Sequence, residues 1–420
     1  RKAHVTPNLS LSYDAPLHMV RGRMQFLFDA EGRAYLDAFN NVPHVGHCHP
    51  DVSNAITAQV QRLNTNTRYL NQGLADYAEA LTSRLPDQLD TCFFVNSGSE
   101  ANEVALRLAR HFTGAHDVLV QEHGYHGITQ TCIDISHYKF ARPGGAGQRD
   151  WVHVADIPDP NGRYTGADAG ANYARDVKQM LDQLEQRDTR VACFISESFP
   201  CVGGQIIPPA GYLKSVYGHV KAQGGLNIAD EVQTSLGRLG RCPWAFEYQG
   251  ATPDIVVLGK PAGNGHPIGI VITTREIAQA FHTGMEFFST FGGSNVSCAA
   301  GLAVLDVIER EGLAQNSETT GAHLLAGLQA LQQRHALIFE ARWLGLFLGV
   351  ELSNPDGTPA TQAARYIINR LRDHRILIGS DGPHGNVLKI RPPLCFTVPD
   401  ADHLLTVLAG ILDETPLSVA

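Results

Sequence analysis

The 420-residue chain has no apolar run approaching the roughly 18–20 residues that span a bilayer. It also lacks any block of lysine and arginine. With a net charge of −9, nothing in it is suited to neutralising a phosphate backbone, which argues against nucleic acid as a partner. Internal repeats and low-complexity segments are absent. Eight cysteines occur without a single CxxC pair, and several, such as Cys92 and Cys193, lie inside apolar runs. That usage excludes a disulfide framework and fits reduced thiols in a reducing compartment, so a cytoplasmic location is expected. The opening Arg1-Lys2-Ala3-His4-Val5 does not read as a signal peptide. Gly46-His47-Cys48-His49-Pro50 offers His-x-His, but no third ligand cluster accompanies it. A turn feeding a helix is expected there, and no metal.

What is present is an alternation of short apolar runs with helical stretches. Phe26–Phe28 and Ala34–Asp37, separated by Asp29-Ala30-Glu31-Gly32, have the pattern of a hairpin. Ala75–Leu85, Ala101–Phe112 and Ser297–Glu311 carry helical periodicity. Cys92–Val95, Val118–Gln121, Val191–Ser196, Leu226–Ala229, Ile255–Leu258 and Ile268–Thr273 read as buried strands. The pattern predicts an α/β fold with a mostly parallel sheet between helices. Farther on, Phe347–Leu352, Ile376–Ile378 and Val387–Ile390 read as strands and Thr361–His374 as a helix. The expected division is a large domain over 51–310 and a small α+β domain over 311–420, which the N-terminal segment 1–50 joins.

Two strand ends carry the most pointed chemistry. Leu226–Ala229 leads into Asp230, and Ile255–Leu258 leads into Gly259-Lys260, thirty residues later. Ligands of open α/β sheets collect at the carboxyl ends of strands. An amine nucleophile beside a buried carboxylate is what pyridoxal phosphate chemistry requires. The lysine bonds covalently to the cofactor aldehyde, and the carboxylate keeps the pyridine nitrogen protonated.

Other residues fit the same site. Asn96-Ser97-Gly98-Ser99 follows a strand and opens a helix, so Ser97, Gly98 and Ser99 suit a phosphate cup. An ordinary cap at Asn96 or Ser99 explains the same residues. Tyr125 suits stacking on a flat ring, with His126 as a polar wall. Val232 would project to the same side as Asp230 and close the opposite face, and Gln233 suits the cofactor's phenolic oxygen. Glu197, at a strand end, either faces this site or forms a salt bridge. Thr290, beside Gly292-Gly293, suits a second phosphate contact, either within the chain or across to a partner chain. Lys389 and Arg391 alternate on a strand and suit a substrate anion.

In combination and in order, these segments resemble the class III aminotransferases, a branch of the fold type I pyridoxal phosphate enzymes, over essentially the whole chain. The carrying motifs include Asn96-Ser97-Gly98-Ser99-Glu100-Ala101-Asn102, Tyr125-His126-Gly127, Ala229-Asp230-Glu231-Val232-Gln233, Gly259-Lys260 and Thr290-x-Gly292-Gly293. The resemblance implies Lys260 as the cofactor-bearing lysine and Asp230 as the pyridinium partner. It implies Val232 and Tyr125 flanking the ring, Gln233 on its phenolic oxygen, and Ser97, Gly98 and Ser99 on its phosphate. Thr290 would act from the other subunit of a homodimer.

Within the class, Asn40–Pro50, Leu63–Tyr69, Cys201–Tyr212 and Asp381–Ile390 are most similar to the phospho-lyases of ethanolamine phosphate and phosphohydroxylysine. Two departures from the transaminase pattern point the same way: Ser198 where proline is usual after Glu197, and Lys389 where an arginine usually clamps a carboxylate. Gly293-Ser294-Asn295 departs from the usual Gly-Asn-Pro. The resemblance implies elimination of phosphate from a 2-amino phosphate ester. Lys260 would be the base, with Arg68, Lys389 and Arg391 as cations for the leaving group and His44 and His266 as neutral donors. The alternative is an ω-aminotransferase using a keto acid.

Overall fold

A computed structural model describes residues 3–414; Arg1 and Lys2 of the opening pentapeptide lie outside the described residues. The expected hairpin forms as β2 (Phe26–Asp29) and β3 (Ala34–Asp37), preceded by an edge strand β1 (Met19–Arg23). The Asp29 carboxylate folds the turn by accepting the N–H groups of Glu31 and Arg33 at 3.1 and 2.9 Å. After Pro50 the chain is helical to Arg62. His49 caps this helix, its ring nitrogen accepting from Asp51 N.

The central sheet has seven strands: β4 (Thr91–Val95), β5 (Asp117–Gln121), β6 (Val152–Ala155), β7 (Val191–Glu197), β8 (Leu226–Asp230), β9 (Ile255–Leu258) and β10 (Gly269–Thr273). Their spatial order is β4-β10-β9-β8-β7-β5-β6. The five strands from β9 to β6 are mutually parallel, and β10 runs antiparallel to both neighbours. Because β4 is antiparallel to β10, and β10 to β9, β4 recovers the direction of the parallel set. The carboxyl ends of β4, β5, β7, β8 and β9 therefore share one edge. Every residue of β7, β8, β9 and β10 is buried, as expected of strands covered on both faces.

An antiparallel sheet joins β11 (Ile338–Leu344), β12 (Phe347–Leu352), β15 (Val387–Ile390) and β14 (Gly379–Asp381). The two ends of the chain meet at β13 (Ile376–Leu377), which pairs in parallel with β3 through Ile376↔Leu36 and Leu377↔Asp37. One apolar core unites Leu36 and Val45 with Leu348, Ile367, Ile390 and Leu404, so burial and backbone pairing together hold the N-terminal hairpin against the C-terminal elements.

Helix starts differ by a few residues from the periodic pattern, and the caps explain why. The helix expected from Ala75 spans Gln72–Thr82, because Asn71 Oδ1 accepts from Gly73 N at 2.8 Å. The one expected from Ser297 spans Asn295–Arg310, because Ser294 caps it. All eight cysteines are free thiols, and Cys48 among them is exposed. No helix among the described residues is long and apolar enough to cross a membrane.

Candidate active site

Five strand ends on the common edge enclose a cavity of about 150 Å³. The N-terminus of the helix Gly98–Thr113 follows β4, Tyr125-His126-Gly127 follows β5, Glu197 ends β7, Asp230 ends β8, and Lys260 follows β9. Of the residues proposed from sequence, Gly98, Ser99, Tyr125, His126, Glu197, Asp230, Val232, Gln233 and Lys260 line this cavity. Asn102 and Gly127 line it as well.

The cap of the cavity-facing helix is Ser97, not Asn96 or Ser99. Its hydroxyl accepts from Glu100 N at 3.2 Å. Asn96 is used otherwise: its backbone N–H and side-chain amide both donate to the Glu100 carboxylate at 2.9 Å. Ser99 Oγ accepts from Ile128 N at 3.0 Å, tying the loop after β5 to this helix. The helix start thereby presents the N–H groups of Gly98 and Ser99 to an anion, where the helix dipole favours negative charge. Gly98 is packed against Val232, since a Cβ on it would meet a Val232 methyl at 3.3 Å.

Asp230 is held by three donors. Its Oδ2 takes Asn102 Nδ2 at 3.0 Å and His126 Nδ1 at 2.9 Å, and its Oδ1 takes Val232 N at 3.1 Å. Asn102 also donates to the His126 carbonyl at 2.8 Å, so one amide fixes both partners. Sequence reasoning missed this role, although an asparagine between Ala101 and Val104, on a helix face that is otherwise apolar, was the available signal. Asn102 Oδ1 and His126 Nε2 are buried and have no protein partner.

Lys260 is part-buried and lines the cavity. Burial first, and then the charge of Arg391, push its ammonium below the ordinary lysine range, while Asp230 and Glu197 oppose that shift. Glu197 moves the other way: burial and then the Asp230 charge raise it. The sequence left open whether Glu197 faces the site or makes a salt bridge. It lines the cavity and accepts Tyr125 N and Cys201 N at 3.2 Å and Gln233 Nε2 at 3.3 Å. Gln233 Oε1 in turn accepts from Asn41 Nδ2 at 3.3 Å and from Arg391 Nη1.

The substrate candidates separate. Arg391 is buried and reaches the cavity through Gln233. Lys389, on β15 two residues before Arg391, donates to Asp381 Oδ1 at 2.9 Å. Arg68 does not line the cavity; it is exposed, pairs with Glu286 at 3.2 Å and covers the Phe288 ring. Thr290 is exposed and also outside the cavity. The expectation for His44 needs correcting. It is fully buried away from the cavity, its Nε2 is 2.6 Å from Leu236 O, and its Nδ1 faces Arg238 Nη2 at 3.4 Å, so neither nitrogen is left for a substrate. His266 Nε2 is similarly engaged with Ser297 Oγ at 2.9 Å.

These residues fit pyridoxal phosphate. A buried amine with a lowered ammonium suits an aldehyde, and a three-donor carboxylate suits a protonated pyridine nitrogen. The flat slot lies between Tyr125 and Val232, and the helix N-terminus suits the phosphate. The orphaned Asn102 Oδ1 and His126 Nε2 mark the wall where a polar ligand belongs.

The model of the family described as aminotransferase class-III matches residues 10–412. A Drosophila melanogaster protein named alanine–glyoxylate aminotransferase 2-like is 48% identical over 96% of this chain and 84% of its own length. A Caenorhabditis elegans protein named ethanolamine-phosphate phospho-lyase homolog 1 is 43% identical over 94% of this chain and 90% of its own. Among solved structures, a phospholyase from Arthrobacter in complex with phosphoethanolamine superposes with a TM-score of 0.94 at 39% identity, covering 99% of both chains. An amine transaminase from an uncultivated Pseudomonas species, in its pyridoxal-phosphate-bound form, superposes with a TM-score of 0.88 at 28% identity over 98% of each chain. The chain belongs to the class III aminotransferase family of fold type I enzymes, and its cofactor is pyridoxal phosphate.

Proposed function

We propose that the chain is a lyase that removes phosphate from a 2-amino phosphate ester such as O-phosphoethanolamine. With one water consumed, the products are an aldehyde, ammonia and inorganic phosphate. The observation that carries this reading is the full-length likeness to the Arthrobacter phospholyase held with phosphoethanolamine, at 39% identity. Agreement with the C. elegans phospho-lyase homolog supports it.

Bound pyridoxal phosphate supplies an electron sink conjugated to the carbon that bears the substrate amine. The chain's own residues do the rest. Lys260, whose buried ammonium is destabilised, is the base that takes a proton from that carbon. Asp230, oriented by Asn102, His126 and Val232 N, holds the proton on the pyridine nitrogen. Tyr125 and Val232, which line the cavity, would shield the faces of a bound ring from water. Arg391 offers positive charge to the departing phosphate, which carries about −1.5 to −2 near neutrality, while Lys389 is paired with Asp381.

The second reading is transfer of the amino group to a keto acid, favoured by the name of the 48%-identical Drosophila relative. It uses the same cofactor residues and differs in whether a keto acid is needed. The purified holoenzyme incubated with O-phosphoethanolamine alone is expected to release phosphate and acetaldehyde in equal amounts. Turnover that requires pyruvate or glyoxylate and releases no phosphate would establish the aminotransferase instead.

A further inference from the structure

Two cations stand two residues apart at the end of β15, Lys389 within the strand and Arg391 just beyond it, and one carboxylate lies near both. Lys389 Nζ is 2.9 Å from Asp381 Oδ1, with both side chains largely buried. Asp381 belongs to β14, the antiparallel neighbour that pairs Gly379↔Lys389 and Asp381↔Val387. Its other oxygen accepts Gln205 Nε2 at 3.0 Å and stands 4.0 Å from Arg391 Nη2. The lysine stem is confined to this course, since a Cβ on Gly379 would meet Lys389 Cε at 3.3 Å and the Phe39 ring at 3.2 Å. Arg391 is different. Its Nη1 donates to Gln233 at the cavity wall, while its buried Nε has no partner.

We infer that Asp381 is a specificity-determining residue: its carboxylate takes up the charge of Lys389, so the cleft accepts amines with one anionic group and rejects those with an additional α-carboxylate. With Lys389 on one oxygen of Asp381 and Arg391 4.0 Å from the other, two cations share one carboxylate, and the cluster keeps one net positive charge for a substrate anion. An added carboxylate finds Lys389 engaged and meets the fixed negative charge of Asp381 in a partly dehydrated site, where like charges repel far more than in water. Gln205 and the β14–β15 ladder hold Asp381 in place, so it does not swing aside without losing those bonds. This inference rests on the reading of the cleft as an amine site with Arg391 toward the anion, and it names what that site refuses.

The test compares ligand pairs that differ only by an added carboxylate: O-phosphoethanolamine with O-phosphoserine, and the uncleavable 2-aminoethylphosphonate with 2-amino-3-phosphonopropionate. Dissociation constants for the holoenzyme are read from the ligand-induced change in the cofactor's absorbance, which needs no completed turnover. In Asp381→Asn, binding of the carboxylated member relative to its partner is expected to strengthen at least fivefold in both pairs. In Lys389→Met, which leaves Asp381 uncompensated, the same ratio is expected to fall. A change below fivefold in Asp381→Asn overturns the inference, and so does a Lys389→Met ratio that stays level or rises. Should Asp381→Asn not fold by circular dichroism, Lys389→Met decides alone. The phosphonate pair stays informative even if the wild-type protein releases no phosphate, so failure of the lyase reading and failure of the Asp381 role are distinguishable.

Discussion

Burial holds His44 in its neutral form. Desolvation, followed by the Arg238 charge, pushes its titration down to about 3. Protonation would set a second cation beside the buried Arg238 with no carboxylate bonded to either among the described residues. The sign for stability follows. A histidine depressed in the folded state contributes fully above its unfolded value near 6.5, and the contribution is lost as pH falls from there towards about 3. Across that window the loss approaches about 1.4 kcal/mol per pH unit. His44→Gln should therefore lose less stability than the wild type between pH 6.5 and 5 in urea titrations. Parallel slopes for the two proteins would contradict this account of His44. Residue chemistry was legible in the sequence at Lys260 and Asp230, because each follows an apolar run and needs only a shared sheet edge to meet. His44 was not, since composition gives no hint that its ring would be spent on the Leu236 carbonyl.

At the scale of elements, the site depends on the start of the Gly98–Thr113 helix meeting the loop after β5. Gly127 has φ +138°, a conformation that side-chain-bearing residues rarely adopt. A Cβ there would also lie 2.4 Å from Ser99 Oγ and 2.8 Å from Ser99 Cα. Gly127→Ala is expected to cost about 1–3 kcal/mol in the folded protein. By pushing Ser99 it should also speed cofactor release at least tenfold, read by absorbance after dilution. Wild-type retention of the cofactor would show that this contact does not set the cup. The buried strands β7, β8 and β9 were readable because they are short apolar runs ending in glycine or an acid, whereas the half-buried edge strand β6, Val152-His153-Val154-Ala155, was not. The edge strand β1, Met19-Val20-Arg21-Gly22-Arg23, escaped because most of it is exposed and its sequence carries no apolar alternation. β11 escaped for a related reason: Ile338-Phe339-Glu340-Ala341-Arg342 buries Arg342 through Glu340 and Glu351, so polarity no longer reports burial.

For the whole molecule, the residues left outside the cavity are as informative as those inside it. Arg68 covers the Phe288 ring at 4.3 Å, which brings the 63–70 segment against the 285–291 segment. Both segments expose large apolar side chains, Tyr69 and Leu70 on one and Met285 and Phe291 on the other. Thr290 lies in the middle of the second. Neighbouring exposed apolar groups of this size mark surfaces that another protein covers. A second copy of the chain is the occupant we propose, because it would bring Thr290 to the phosphate side of the partner's cavity, beside Gly98 and Ser99. Sedimentation of the holoenzyme is expected to show a species of twice 45.6 kDa. Leu70→Glu, placing a charge on this surface, should shift it towards monomer, raise the cofactor's dissociation constant and lower turnover together. In the dimer, Thr290→Ala should weaken cofactor binding by about 1 kcal/mol, the scale of one neutral hydrogen bond. A monomer with undiminished turnover and unchanged cofactor affinity would mean that a single chain completes the site. The exposed apolar residues around Thr290 would then need a different partner.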